Sequence, residues 1–165
     1  KIQQKLIFFE QKMFYYKFNL YYKLMSWYGT KACKKKYLKS AKWLQWTKNK
    51  KYPLWRLDIL FSNKKYNDIH FITNGGWHFT NIKSPEDMER KLKSFVHYKD
   101  FESGRLNLND LKKLIIEKRV MYNHKTDKTK NKWTGGKKLE TVKLNEMPKH
   151  IIENYQSYRP WLDEI

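Results

Sequence analysis

Aromatic side chains are unusually dense near the start of this chain, and a chain with so many rings has to bury most of them. Eight rings fall within fifteen positions: Phe8, Phe9, Phe14, Tyr15, Tyr16, Phe18, Tyr21 and Tyr22. The spacing of Phe9, Met13 and Tyr16 fits one face of a helix and predicts a buried helix over residues 8–16. The aromatic composition also permits a strand near residues 15–22. In either form the segment is predicted to belong to the core.

Capping residues and periodicity predict the elements that follow. Ser84 as cap, Pro85 at the first helical position and an acid at Asp87 are typical of a helix start, and the apolar spacing behind them predicts a helix over 85–98. A second helix is predicted over 109–118. Shorter elements are predicted as a strand broken at Gly29 (26–33), a helix capped by Ser40 (40–47), a strand (69–73), an exposed polar loop (123–138) and a last helix after Met147-Pro148. This mixture favours an α/β or α+β fold.

The chain is strongly basic. It carries 36 lysines and arginines against 16 acids, for a formal charge of +20. Such a charge would attract nucleic acid, an anionic membrane or phosphate-bearing ligands. Only five of the cations are arginines, however, and arginine is the residue that usually reads bases or clamps phosphates. Lysines spread along the whole chain are more typical of a solvated surface.

Two further features limit the class of protein. Cys33 is the single cysteine, so no disulfide can form within the chain and a disulfide-stapled secreted scaffold is excluded. No uninterrupted apolar stretch approaches the length that a membrane-spanning helix needs, so no such segment is predicted.

The stretch from Asn74 to Thr80 is the most unusual part of the sequence. Two glycines, Gly75 and Gly76, permit a positive φ or a close backbone approach, and Trp77 and His78 follow directly. The indole could stack on the apolar face of a sugar ring, or it could be core. A lone histidine is more often a structural residue, and the five histidines have no metal-ligand spacing among themselves. His78 nevertheless lies at the end of a predicted strand, where α/β sheets place ligand groups.

Three other polar residues are candidates for a site. Arg56 and Asp58 are two positions apart and would face the same side of a strand, either as a simple ion pair or as groups that orient a phosphate or hydroxyl. Glu10 lies among aromatic residues, where a carboxylate needs a partner or a raised pKa, which makes it a candidate general base. A position of Glu10 at the surface is the simpler alternative.

Read in order, these segments resemble glycosyltransferase family 17. The resemblance covers nearly the whole chain, and its most specific part is the Gly-Gly-Trp-His-Phe-Thr run at 75–80. The other matching segments are Phe9-Glu10-Gln11, Tyr15 to Asn19, Trp27 to Thr30, Leu38 to Ser40 with Trp43-Leu44, Trp55-Arg56, the helix from Lys91 to His97, and Met147-Pro148 with Ile151, Glu153 and Asn154.

The resemblance implies a fold and a reaction. The fold would be of the GT-A type, an α/β domain with a mixed sheet and flanking helices. The reaction would be the inverting transfer of N-acetylglucosamine, or a related sugar, from a UDP-sugar donor to a glycan acceptor in β-1,4 linkage. A carboxylate base would deprotonate the acceptor hydroxyl, with Asp58 and Glu10 as candidates, and a divalent ion, typically Mn²⁺, would neutralise the diphosphate. The resemblance implies His78 as a metal ligand, and it implies substrate contacts by Gly75, Gly76, Trp77 and Arg56.

The sequence departs from that pattern in one respect, because the Asp-x-Asp-type motif that holds the metal in GT-A enzymes does not occur in residues 1–165. We therefore expect residues 1–165 to form the C-terminal part of a single glycosyltransferase domain, with the acidic cluster and nucleotide-binding half encoded upstream. Such a fragment is expected to be inactive alone. The expected location is cytoplasmic, with membrane association through upstream residues or the acceptor left open. The alternative function is a basic nucleic-acid-binding module without catalysis; on the transferase hypothesis no nucleic-acid partner is expected.

Overall fold

A computed structural model describes residues 3–94, 106–121 and 136–164 of the chain. The strands are β1 (Leu6–Phe9), β2 (Lys12–Tyr15), β3 (Leu20–Tyr21), β4 (Lys31–Cys33), β5 (Ile69–Ile72), β6 (Trp77–Thr80) and β7 (Glu140–Thr141). The α-helices are α1 (Ala41–Trp46), α2 (Pro85–Ser94), α3 (Leu108–Ile116), α4 (Lys149–Glu153) and α5 (Tyr155–Tyr158). Short 3₁₀ helices lie at Lys35–Tyr37, Leu57–Ile59, Leu144–Glu146 and Arg159–Trp161. The fold is α/β, with mixed sheets and flanking helices.

The chain divides into two compact units. The first comprises Lys1–Lys12 with Ser26–Gly76, and the second comprises Met13–Met25 with Trp77–Ile165. The chain therefore passes twice from the first unit to the second, at residues 12–13 and 76–77, and returns once at residues 25–26.

The first unit is built on a three-stranded mixed sheet in the order β4-β1-β5. β1 pairs antiparallel with β4 and parallel with β5, with Leu6 opposite Cys33 on one side and Ile69 on the other. Leu6, Phe8 and Ile69 form the buried cluster of this unit, because alternate residues of a strand point to the same face. Helix α1 begins as predicted at Ser40, whose side chain accepts a hydrogen bond from the Trp43 amide at 3.0 Å.

The second unit contains a four-stranded sheet in the order β6-β2-β3-β7. β2, β3 and β7 pair antiparallel, with Phe14 opposite Tyr21. Hydrogen bonds from the Lys12 amide to the Gly76 carbonyl and from the Tyr16 amide to the Thr80 carbonyl advance in the same direction, so β6 runs parallel to β2. One face of this sheet carries a buried cluster of Phe14, Met147 and Ile151, with Phe18 and Phe79 packed against it.

The prediction of a helix over residues 8–16 is wrong, because that segment forms parts of β1 and β2 instead. Phe9 lies in β1 and Met13 in β2, so the helical spacing of Phe9, Met13 and Tyr16 spans two strands; Phe8, Met13 and Phe14 are buried in two sheets rather than along one helix face. β3 falls within the 15–22 segment for which the composition permitted a strand. Tyr16 has a φ of 63°, which ends β2 and allows the chain to return as β3.

The later helices agree with the sequence. α2 starts at Pro85 with Ser84 as cap and buries Met88 and Leu92, which confirms the predicted helix as far as residue 94; residues 95–98 lie outside the described residues. α3 begins with a reciprocal capping box between Asn107 and Asp110. The strand at 69–73 and the last short helix are likewise confirmed, as β5 and α4. Of the predicted strand at 26–33 only β4 forms, and of the predicted loop at 123–138 only residues 136–138 are described.

Candidate functional site

The two glycines before Trp77 are required by the backbone of the first unit. The Gly75 amide donates a hydrogen bond to the Glu10 carbonyl at 2.8 Å. A β-carbon on Gly75 would lie 2.9 Å from the Cβ of Phe9, which is closer than real side chains approach each other. Gly76 has a φ of 117°, a backbone conformation that glycine adopts readily and other residues rarely adopt. The substrate contacts expected of these glycines stay predictions, but the fold itself already accounts for both residues.

Trp77 begins β6 in the second unit and is held by the edge of its ring. Its indole N–H donates to the Glu146 carbonyl at 3.1 Å, while 39% of the residue remains exposed to solvent. Phe79, two positions on and therefore on the same face, packs at 5.5 Å from Phe14 and 5.1 Å from Phe18, measured between ring centroids. The indole is therefore anchored through its N–H while more than a third of the residue remains exposed.

His78 points to the opposite face of β6 from Trp77, because consecutive strand residues alternate. The side chain is half-buried, and this burial lowers the pKa of the imidazole below its usual 6.5. The ring is therefore neutral at physiological pH, and the neutral imidazole is the form that can donate a lone pair to a metal ion. The structure does not place Trp77 and His78 side by side on one face.

Glu10 directly follows β1 and is tied to polar partners in the first unit. Its carboxylate accepts a hydrogen bond from the Ser26 hydroxyl at 2.8 Å. The pKa of the Tyr28 hydroxyl is raised by burial and, next, by its hydrogen bond and charge interaction with Glu10. The Glu10 backbone is also held, with its amide bonded to the Ile72 carbonyl at 2.9 Å. The carboxylate is thus partly buried and oriented by two hydroxyl groups.

Ser26 and Tyr28 were not identified from the sequence as partners of Glu10. The available signal was their spacing, since two hydroxyl residues separated by one position project to the same side of an extended chain. The sequence did not predict that this segment pairs with residues 10–11. The isolated bridge between Gln11 and Trp27, with both backbone hydrogen bonds at 2.9 Å, creates that pairing.

Arg56 and Asp58 form an ion pair, but on an exposed loop rather than on a strand. The Nε and Nη2 atoms of Arg56 donate to the two carboxylate oxygens of Asp58 at 2.9 and 2.8 Å, and Lys65 Nζ approaches the second oxygen at 2.5 Å. The hydrogen bond from Arg56, followed by that from Lys65, lowers the pKa of Asp58 to about 2. The ion pair expected from the spacing is confirmed, whereas the predicted strand geometry is wrong because residues 57–59 form a 3₁₀ turn.

A carboxylate with so low a pKa accepts protons poorly near neutral pH, which argues against Asp58 as a general base. A general base works best when its pKa lies near the working pH. Asp58 is held in its charged form by two cations, while Glu10 is held by neutral hydroxyl groups. The Glu10 and Asp58 carboxylates have different hydrogen-bonding partners and lie in different parts of the first unit.

The second unit contains a polar cluster that the sequence did not reveal. The Asp163 carboxylate pairs with Lys118, accepts from the Thr141 hydroxyl at 2.8 Å and lies 3.5 Å from Lys17 Nζ. Asp163, Lys17 and Lys118 border, together with Tyr155, Arg159 and Leu162, a cavity of about 780 Å³. The Asp163 carboxylate contacts the Lys17 and Lys118 ammonium groups where an external anion would have to bind. The positive charges of this cluster are therefore already paired within the chain.

Comparison with protein-family models, with curated proteins and with solved structures finds no match for this chain. Among the described residues no group of three or more His, Cys, Asp or Glu side chains is arranged to hold a metal ion. No helix in the described parts of the chain combines the length and apolar character needed to cross a bilayer.

Proposed function

We propose that this chain forms part of an inverting GT-A-type glycosyltransferase that transfers N-acetylglucosamine, or a related sugar, from a UDP-sugar to a glycan acceptor in β-1,4 linkage. The resemblance of its segments to glycosyltransferase family 17 motivates the proposal. The Gly-Gly-Trp-His-Phe-Thr run is the most specific part of that resemblance, and it coincides with the turn into β6 and the strand itself.

The observation that carries the proposal is the state of His78. A half-buried imidazole with a lowered pKa stays neutral at physiological pH, and the neutral imidazole is the form in which histidine binds metal ions. We assign to His78 the ligation of a divalent ion, of which Mn²⁺ is the expected one, or a contact with the diphosphate. When bound, this ion would neutralise charge on the departing UDP. The proposal requires carboxylate ligands as well, because oxygen donors are those that Mn²⁺ prefers.

The catalytic base is assigned to Glu10 in preference to Asp58. In an inverting transfer the acceptor oxygen bonds to the anomeric carbon as the bond from that carbon to the UDP oxygen breaks, and the acceptor proton passes to the base. Glu10 is oriented for such a task by Ser26 and Tyr28 without being paired to a cation in the described contacts. Asp58 is paired with Arg56 and Lys65, and its pKa of about 2 makes it a poor acceptor of that proton.

Trp77 is assigned to sugar binding. An indole can pack against the C–H face of a hexose, and Trp77 is 39% exposed, while the hydrogen bond from its N–H to the Glu146 carbonyl limits rotation of the ring. Since Trp77 and His78 point to opposite faces of β6, the proposal gives them separate tasks, the sugar ring for the indole and the charged end of the donor for the imidazole.

The nucleic-acid alternative depends on arginines that are available to phosphates. Three of the five arginines instead lie against carboxylates of their own chain: Arg56 with Asp58 at 2.8 Å, Arg90 with Asp87 at 3.3 Å and Arg119 with Glu117 at 3.5 Å. These pairs reduce the charge and hydrogen-bonding capacity open to a polyanion, which favours the transferase hypothesis.

The test uses the protein encoded by the complete reading frame, assayed with UDP-N-acetylglucosamine and Mn²⁺ for transfer and for donor hydrolysis. His78→Ala is expected to lower turnover by about 100-fold or more, as loss of a metal or charge-stabilising contact does. His70→Ala, which removes an imidazole from β5, is the matched control and should retain activity. Glu10→Gln should abolish transfer and Tyr28→Phe should reduce it.

Two results would overturn the proposal. One is the absence of UDP-sugar transfer and hydrolysis by the wild type, whereas full activity of both His78→Ala and Glu10→Gln would overturn the assignment of these two residues. The other is a reading frame with no Asp-x-Asp-type cluster within roughly one hundred residues before Lys1, an allowance set by ordinary domain size.

A further inference from the structure

A loop in the first unit exposes an unusual amount of apolar surface. Residues 54–61, here called the apolar loop, contain five large hydrophobic side chains that are between 71% and 90% exposed: Leu54, Trp55, Leu57, Leu60 and Phe61. Single exposed hydrophobic residues are normal on a soluble protein, but five within eight positions concentrate apolar surface in one short segment, and such concentrations mark interaction surfaces.

The backbone of the apolar loop satisfies many of its own hydrogen bonds. Amides at 56, 59, 60 and 62 each donate to the carbonyl three residues earlier, at 3.0–3.2 Å. The base of the loop is closed by hydrogen bonds from the Tyr52 amide to the Tyr66 carbonyl at 3.2 Å and from the Lys48 amide to the Lys64 carbonyl at 2.7 Å. The apolar side chains are therefore presented on a closed turn whose peptide groups cost less to remove from water than those of an open chain.

The surroundings of the apolar loop are strongly basic. Residues 47–67 contain six cations (Lys48, Lys50, Lys51, Arg56, Lys64 and Lys65) and a single acid, Asp58. Arg56 and Lys65 both pair with that acid, so its negative charge is neutralised within the loop. An apolar tip remains, with lysines on both sides of it along the chain.

This combination is complementary to one kind of partner. An anionic bilayer offers an apolar interior to the tip and phosphate groups to the lysines, and each lysine near such a surface adds attraction. Trp and Phe are also side chains favoured at membrane interfaces. A second copy of this chain fits less well, because it would bring the same positively charged lysines against those of the first.

We propose that the apolar loop docks the protein peripherally on an anionic lipid surface. Trp55, Leu60 and Phe61 enter the interfacial layer, and Lys48, Lys50, Lys51 and Lys64 lie at the level of the headgroups. The interaction is reversible and depends on salt, as expected for one short apolar loop acting together with a basic patch. It does not depend on the proposed transferase activity.

The proposal is tested by sedimentation of the chain with vesicles of phosphatidylcholine alone or mixed with phosphatidylglycerol. The wild type should bind the mixed vesicles far better, and added salt should release it. The double substitution Leu60→Ser with Phe61→Ser should lower partitioning by about thirtyfold, from the loss of two partly inserted side chains. Ile116→Ser, a change at a residue 79% exposed on α3, is the matched control and should bind as the wild type does.

Further measurements separate the outcomes. Replacing Lys50 and Lys51 by Gln should weaken binding to the mixed vesicles and leave the weak binding to phosphatidylcholine unchanged. The Leu60, Phe61 and Ile116 positions are exposed, so equal urea midpoints for all variants are expected to confirm that they fold. Absence of wild-type binding to mixed vesicles, or equal binding by the double variant, overturns the proposal. So does a wild-type dimer in solution that the double variant abolishes, because a second copy would then cover the loop.

Discussion

The side-chain amide of Asn19 forms two hydrogen bonds with the backbone of Asp163, which lies 144 positions further along the chain. Asn19 Nδ2 donates to the Asp163 carbonyl at 2.9 Å, and the Asp163 amide donates to Asn19 Oδ1 at 2.7 Å. Asn19 is fully buried, and its own carbonyl accepts from the Val142 amide at 2.9 Å. One buried side chain therefore fastens the C-terminal segment of the second unit to the turn between β2 and β3.

Asn19→Ala should lower the free energy of unfolding by about 2–3 kcal/mol, because it removes two hydrogen bonds and leaves backbone groups without their partners. The measurement is urea denaturation followed by circular dichroism. Asn154→Ala is the control, since Asn154 also bonds a backbone carbonyl, that of His150 at 2.8 Å, but from an exposed position. A change of at most about 0.5 kcal/mol is expected there, and equal losses in the two variants would contradict the role given to burial.

Asp163 should contribute to stability in a pH-dependent way. Burial by itself would raise the pKa of this carboxyl group, but the hydrogen bonds from Lys118 and Thr141 and the charges of Lys118 and Lys17 outweigh it and lower the pKa. The contribution is complete above the usual Asp value of about 4 and is lost as the pH falls through the lowered value.

Asp163→Asn should therefore be less stable than the wild type at neutral pH and should show a smaller loss of stability below about pH 4. Urea midpoints across the acid range give the comparison. Glu164→Gln makes the same change of charge at the exposed neighbouring position and should leave the shape of the profile unaltered. Identical acid profiles for Asp163→Asn and the wild type would refute the argument.

Gly75→Ala should destabilise the first unit by about 1–3 kcal/mol, the usual cost of forcing an atom into a packed site. The added carbon would lie 2.9 Å from Phe9 Cβ and 3.0 Å from Phe9 Cα, and a backbone atom cannot move aside as a flexible side chain can. Asn74→Gly is the control, because Asn74 has a φ of 52° that glycine adopts without strain. Thermal unfolding should separate the two variants, and a tolerated alanine would show that the close approach is not needed.

His78 should make stability fall as the pH drops below about 7. Burial lowers the pKa of the folded imidazole, so the unfolded chain binds a proton more readily. The stability is therefore complete above the unfolded value of about 6.5 and declines as the pH falls through it toward the folded value. His78→Gln should flatten this decline in urea titrations, whereas His150→Gln, at an exposed position, should leave it as it is. If stability declines with falling pH as steeply in His78→Gln as in the wild type, the His78 imidazole is not the cause of the decline.

Local signals in the sequence were enough to predict the elements whose ends are capped. Ser40 and Ser84, the two predicted caps, each form a cap contact with a residue three positions away, and such contacts do not depend on the rest of the fold. The capping box of Asn107 and Asp110 is also local, but periodicity alone predicted that helix. The pairing of Arg56 with Asp58 is equally local. For these features the spacing in the chain already determines which atoms can meet.

Pairing between segments distant in the chain decided the strands and the surroundings of the candidate site residues. A helix was predicted over residues 8–16 because apolar spacing there fits two periods, and only the sheet partners at 31–33 and 69–72 select the strand. The surroundings of Glu10 depend on the bridge between Gln11 and Trp27, and those of Asp163 on a contact across 144 positions. The rings, the glycine turn and the basic charge are properties of the sequence by itself. The tertiary structure decided which carboxylate has a lowered pKa, which indole is partly exposed and which hydrophobic side chains remain in contact with water. The reason is that burial and charge at a site depend on segments that are distant in the chain.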